Sequence, residues 1–338
     1  MGEVEGHIPD GVIDLHVHYY TKDYLAAVEE APSIQVYRRP ADGRFVATWR
    51  GGVALTVPQP HPGISERLEM MDEIGISTQV LSVPSPSVYF LGDEMADSLS
   101  RHVNEEFAEI CREHPGRFRA LATVTMQNPD LALSGLSFAL DELRMDGIMI
   151  LTNIDGVPLD DPRLEQFWEE ANRRSLLVYV HPTVPEAGHM SDYALAIAVG
   201  FLADTNLAIA RLTYSGVFER FPRIRWIFSH LGGTLPFMLP RLDNYHRQFP
   251  ECREKAPRLP SDYIRGLLFD TASSHRPAVR CATETLGVDR LVFGSDYPHV
   301  PGGVGPYLAA LDATGAFGFE LEELVRGRAQ KLLDSQAS

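Results

Sequence analysis

The chain has 338 residues, 44% of them hydrophobic and 22% charged, the composition of a globular protein large enough for one large domain or two small ones. Its formal net charge of −16 argues against a nucleic-acid partner, whose phosphates need a basic surface, and against an anionic membrane. No apolar run reaches the roughly 20 residues that cross a bilayer. The three scattered cysteines suggest neither a disulfide framework nor a zinc knuckle, and residues 1–6 are acidic rather than signal-like, so a cytoplasmic location is expected.

In chain order, short apolar runs alternate with amphipathic stretches. Strands are predicted at 12–19, 78–83, 119–125, 147–151, 177–181, 224–229, 266–270 and 290–294, with helices between them at 65–74, 97–113, 129–144, 162–174 and 276–286. Eight apolar strands separated by helices imply an α/β fold, a parallel (β/α)8 barrel of the TIM type. No Gly-x-Gly-x-x-Gly follows the first strand, which disfavours a doubly wound open sheet. Residues 21–63 are rich in Pro and Gly and too long for a βα loop; they read as a flap inserted over the barrel mouth after strand 1. A long helical region is expected over 191–221. With no repeat or linker, residues 1–338 are expected to form a single domain.

The chemistry concentrates at the strand ends, where a barrel of this kind builds its active site. Strand 1 ends in His16-Val17-His18, and side chains two apart on a strand point the same way. Strand 5 ends in His181-Pro182, strand 6 in His230 before a Gly232-Gly233 turn, and strand 8 in Asp296. Each alone is more often a core or capping residue than a ligand. Together they place four imidazoles and a carboxylate on one rim. His16, His18, His181 and Asp296 suit one Zn2+ with an open position for water, while His230 is left as the general acid/base. Only three lysines occur, Lys22, Lys255 and Lys331, and none stands near a strand end; a lysine bridging two metals is therefore not expected.

These residues carry a resemblance. Ile13-Asp14-Leu15-His16-Val17-His18, Val180-His181-Pro182, residues 215–222, Ser229-His230-Leu231-Gly232-Gly233 and Phe293-Gly294-Ser295-Asp296-Tyr297-Pro298 make the chain similar to the amidohydrolase superfamily, in the branch of 2-amino-3-carboxymuconate-6-semialdehyde decarboxylase and related non-oxidative decarboxylases. The resemblance implies one zinc (or Mn2+) on His16, His18, His181 and Asp296, with His230 as catalytic acid/base. It also implies a homodimer in which Arg241 crosses to the neighbouring site to bind a carboxylate, and a second substrate arginine from the flap, for which Arg50 is the choice among Arg38, Arg39, Arg44 and Arg50. The expected reaction is decarboxylation of a small aromatic or unsaturated carboxylic acid through metal-bound water and His230. Hydrolysis of an amide, lactone or related carbonyl substrate, with Asp296 or His230 taking the proton, is the alternative.

Overall fold

A computed structural model describes residues 11–185, 189–272, 275–300, 302–317 and 321–334; the N-terminal segment weighed above as a signal lies outside them. All eight predicted barrel strands are present: β1 (Val12–His18), β2 (Ile76–Ser82), β3 (Phe118–Ala120), β4 (Ile148–Leu151), β5 (Leu177–His181), β6 (Arg225–Phe228), β7 (Leu268–Asp270) and β8 (Leu291–Val292). They pair in parallel as two runs, β1 to β3 and β4 to β8. Backbone bridges Ala122–Ile148 and Val17–Tyr297 join the runs and close the barrel. Several strands are shorter than predicted because the chain leaves regular pairing where it turns into the loops at the barrel mouth.

The barrel floor is a small apolar core of Ile13, Leu15, Val80, Leu121, Met149, Tyr179, Ile227 and Val292, closed from below by Ala329 and Leu333 of the C-terminal helix. Helices cover the outside. The predicted helix over 276–286 is found unchanged, whereas 129–144 divides into an α-helix (Pro129–Ser137) and a π-turn (Phe138–Glu142).

The insertion over 21–63 holds a helix, Lys22–Glu30, capped by Thr21, and a three-stranded antiparallel sheet of Ile34–Arg38, Phe45–Trp49 and Gly52–Val57. Its last strand lies against the π-turn Ala196–Gly200, which runs into the helix Phe201–Tyr214. Gly52 makes this approach possible, since a Cβ there would stand 2.7 Å from Ala196 Cβ and 2.9 Å from Val184 Cγ1. The continuous helical stretch Ala196–Tyr214, 19 residues of mean hydropathy 1.3, is long and apolar enough to cross a membrane, although Asp204 and Arg211 interrupt its apolar sequence; 56% of it is buried within the protein.

Candidate metal centre

The site begins with an irregularity in β1. Asp14 pairs with Gln79 and Val17 with Leu81, so Leu15 and His16 together oppose the single residue Val80. This bulge lets Leu15 join the floor while both His16 and His18, fully buried, face the barrel axis above it. Asp14 points the other way. It accepts hydrogen bonds from Ser295 N (2.9 Å) and Ser295 Oγ (2.6 Å), fastening the strand that carries the two histidines to the segment that carries Asp296.

Hydrogen bonds at the outer ring nitrogens settle which nitrogen faces inward. His16 Nδ1 lies 2.7 Å from Asp270 Oδ2, and His181 Nδ1 lies 2.7 Å from the carbonyl of Pro182. Both partners only accept, so both Nδ1 atoms carry hydrogen. Ser82 Oγ donates to Val17 O, which leaves it to accept from His18 Nδ1 at 3.1 Å. In the neutral rings all three Nε2 atoms then present bare lone pairs to the same space. His16 and His18 Nε2 are 3.0 Å apart, and Asp296 Oδ1 lies 3.5 and 3.0 Å from them. That oxygen is buried without a hydrogen-bond partner. Lone pairs at such separations repel unless a cation lies among them, so the donor set fits a divalent ion of the zinc type. The buried rings differ in charge state, and His16 bares its Nε2 lone pair only when a metal ion displaces its proton. Burial opposes charging His16, yet the Asp270 and Asp296 carboxylates outweigh it and lift its pKa to about 9. Burial pushes His18 down to about 3, and His181 well below the usual histidine range.

His230 closes the ring from β6. One donor atom each from His16, His181, His230 and Asp296 lie within 4.8 Å of one another, and His230 Nε2 is 3.4 Å from Asp296 Oδ2. His230 has φ of 55° and Asp296 φ of 66°, left-handed conformations costly for these side chains. The His230 backbone is held by its N–H to Asp270 Oδ1 (2.8 Å), and the turn after it requires glycine: a Cβ on Gly233 would stand 2.5 Å from Leu202 O.

Asp270 was not singled out from the sequence, although it ends β7 as Asp296 follows β8. Fully buried, it receives His16 Nδ1 and the Tyr179 hydroxyl on one oxygen and the amides of His230 and Ala272 on the other. Tyr20 was also missed; its hydroxyl lies 2.7 Å from His299 Nε2 at the pocket wall.

A pocket of about 310 Å³ opens above the cluster, lined by His181, His230, Asp296 and His299 and by apolar residues of the insertion and of the helix facing it. The two predicted arginines are not among its lining residues. Arg50 Nη1 bonds Asp155 Oδ1 at 2.9 Å and its guanidinium lies over Trp49. Arg241 is exposed on the helix Leu235–Gln248, stacked on Tyr245. The insertion arginine whose charge reaches the pocket is Arg44, which adds to burial in lowering the pKa of His299.

Residues 13–326 match the family model described as Amidohydrolase. The chain is 31% identical over 235 residues to 2-amino-3-carboxymuconate-6-semialdehyde decarboxylase of Dictyostelium discoideum, covering 69% of this chain and 66% of that one. It is 31% identical over 248 residues to gamma-resorcylate decarboxylase of Rhizobium sp. (strain MTP-10005), covering 69% and 76%. Its fold matches that of a dihydroxybenzoic acid decarboxylase from Polaromonas sp. JS666, solved with bound manganese and the inhibitor 2-nitroresorcinol, with a TM-score of 0.80 at 24% identity over 96% of this chain and 97% of that one. This chain belongs to the amidohydrolase family, in the branch of decarboxylases that these relatives represent.

Proposed function

We propose that the protein is a non-oxidative decarboxylase of a small aromatic or unsaturated carboxylic acid, using one metal ion per chain. The observation that carries the reading is the convergence of three histidine Nε2 lone pairs and the unpartnered Asp296 Oδ1 on one point beneath a pocket with apolar walls. His16, His18, His181 and Asp296 are the ligands; three nitrogens and one oxygen favour Zn2+, with Mn2+ the alternative that the manganese-bound relative supports. When bound, such an ion supplies Lewis-acid chemistry, gripping and polarising substrate oxygens.

His230 carries the proton. In its charged form Nε2 protonates the carbon bearing the carboxylate. The bond to the carboxylate then breaks, its electron pair returns to that carbon, and carbon dioxide leaves. A solvent proton restores His230. Asp296 Oδ2 lies 3.4 Å from His230 Nε2, where it can accept a hydrogen bond from that ring. The apolar walls exclude water from the unsaturated carbon skeleton. Residues 1–338 act as a single domain, the insertion over 21–63 covers the mouth, and the protein works in the cytoplasm as a homodimer whose Arg241 reaches the neighbouring pocket. Arg50 would have to exchange Asp155 for the substrate to serve as the second carboxylate-binding arginine.

Carbon dioxide release from hydroxybenzoates and carboxymuconate-type acids by the metal-supplemented protein is the expected result. Turnover of esters, lactones or amides, with no carbon dioxide from any acid, would instead make it a hydrolase. Metal analysis after purification without added metal should find close to one zinc or manganese per chain, and a trace would count against the ligand set.

A further inference from the structure

His299 takes no part in the proton transfer, yet it stands on the pocket wall with His230 and Asp296. The turn that carries Asp296 puts it there: the His299 amide donates to the Asp296 carbonyl at 2.7 Å, and its ring centroid lies 5.6 Å from that of His18. Tyr20, two residues beyond His18, holds the ring from behind. Tyr20 is 2% exposed, and its hydroxyl meets His299 Nε2 at 2.7 Å and no other described residue. Burial leaves the phenol hydrogen this one acceptor, so Tyr20 donates and Nε2 accepts. The hydrogen of the neutral ring therefore sits on Nδ1. A charged ring would carry hydrogen on Nδ1 as well, so that nitrogen is a donor in either state.

This donor has no acceptor among the described residues. Unlike Nδ1 of His61 and of His230, which are buried without partners, Nδ1 of His299 is not sealed from open space. The charge of Arg44 reaches the same imidazole, and a cation there favours an oxygen that carries negative or partly negative charge. Apart from the Thr56 hydroxyl, the other polar side chains of the pocket are already assigned, His181 and Asp296 to the metal and His230 to the proton. We propose that His299 is a specificity-determining residue: its Nδ1–H binds an accepting oxygen on a substrate substituent other than the reacting carboxyl group, which His230 must face. The oxygen belongs to a carbonyl, an ether or a hydroxyl that accepts. Tyr20 is the positioning residue that keeps the hydrogen on Nδ1. The assignment rests on the decarboxylase reading and adds a contact to it.

The test uses the full-length metal-supplemented protein and 2-nitrophenols, in which a nitro group replaces a reacting carboxylate, so that binding is read without turnover. Methoxy and ethyl groups are compared at ring carbon 3, 4, 5 and 6; they match in shape, and only methoxy has an accepting oxygen. At one position or more, methoxy is expected to bind about three- to tenfold more tightly than ethyl, the size of one net hydrogen bond. His299→Phe should abolish the preference, whereas His299→Asn, whose amide nitrogen takes the place of Nδ1, should keep most of it. Tyr20→Phe should roughly halve it, since the ring hydrogen is then free to sit on either nitrogen; an unchanged preference would remove Tyr20 from the proposal. Tyr20→Phe combined with His299→Phe, which leaves no buried hydroxyl unpaired, serves if circular dichroism shows His299→Phe unfolded. No preference at any position overturns the proposal, and carbon dioxide release from hydroxybenzoates then leaves the decarboxylase reading intact. A preference lost equally in His299→Asn and His299→Phe, or kept in both, also overturns it. A preference that follows the donor, with no carbon dioxide from any acid, upholds His299 and removes the reaction. Failure of every nitrophenol to bind overturns the assignment of His299.

Discussion

Asp270 joins the two halves of the centre. One oxygen holds His16 in the tautomer that turns Nε2 inward; the other holds the backbone of His230, whose left-handed conformation needs such an anchor. Outer partners of this kind tune metal affinity by roughly 10 to 100-fold. Asp270→Asn keeps the shape but offers an amide that can donate as well as accept. It should weaken zinc affinity within that range, measured by chelator competition, and lower kcat more than it raises KM; unchanged affinity would mean that Asp270 serves packing alone. His230→Ala should keep the metal and lose about 10² to 10⁴ in kcat. If metal is lost instead, His230 is a ligand, a role its place within 4.8 Å of the others would allow. A histidine outside the donor set, His61, adds to the acid dependence of stability. Burial first, then the charges of Arg67 and His299, lower His61 to about 3. An unfolded histidine titrates near 6.5. Between those values the unfolded chain holds a proton that the folded chain refuses, so stability falls as pH drops from about 6.5 towards 3, by at most about 1.4 kcal/mol per pH unit. His61→Gln, whose carbonyl can still accept from Tyr20 N–H, should flatten this acid limb in urea titrations at pH 7 and pH 5, and identical slopes would show that His61 titrates normally. The direct site was legible because its residues stand at ends of apolar runs. Asp270 stood in the same position on β7 but reads in sequence as a strand-terminal acid, and its value lies in partners 40 and 254 residues away.

At the scale of elements, periodicity located all eight strands because each is a buried apolar run. It could not show the bulge in β1. Strict alternation would put Leu15 and His16 on opposite faces, whereas the extra residue turns both inward, and that depends on pairing with β2 rather than on local sequence. The ion pair of Arg50 was hidden for a related reason. The neighbouring Trp49 suggested a pocket edge, but the partner of Arg50, Asp155, belongs to the loop beyond β4, and that contact appears only once the barrel closes. In the folded chain Arg50 ties the insertion to the barrel rim. Its side chain is 16% exposed but that of Asp155 is 58% exposed, so the pair is worth no more than about 1 kcal/mol. Gly52 is the more demanding contact. Gly52→Val forces a side chain against Ala196 and Val184 and should cost about 1–3 kcal/mol through overpacking. Because the strain falls between the insertion and the pocket wall, KM should rise more than the melting temperature falls. A loss of melting temperature with unaltered KM would show that the insertion does not shape the pocket.

For the molecule as a whole, charge and surface polarity part company. The chain is strongly acidic, yet the helices Phe201–Tyr214 and Leu235–Gln248 expose Leu207 (57%) and Phe237 (83%), and Leu207 lines an apolar groove of about 620 Å³ together with Leu235, Met238 and Leu242. Exposed large apolar side chains such as Leu207 and Phe237 make this face a candidate interaction surface. Leu202 lines both this groove and the active-site pocket, so whatever covers the groove sits one helix away from the metal cluster. Arg241, between Leu239 and Leu242 on the same helix, is stacked on Tyr245 rather than turned into its own pocket. A twofold pairing through this face would bury the apolar groove and give each Arg241 a neighbouring site to enter, which no arrangement within one chain provides. The expectation is therefore specific to mixing. In the proposed homodimer, Phe237→Asp should give monomer in analytical ultracentrifugation and depress activity, because the neighbour's Arg241 would be withdrawn. Arg241→Ala should remain dimeric, keep its metal and raise KM for the carboxylic acid. Mixing Arg241→Ala chains with His230→Ala chains should then restore activity, since a hybrid dimer has one pocket with an intact His230 and an arginine supplied from across the interface. No recovery on mixing, with hybrid dimers shown to form, would place Arg241 outside the neighbouring site.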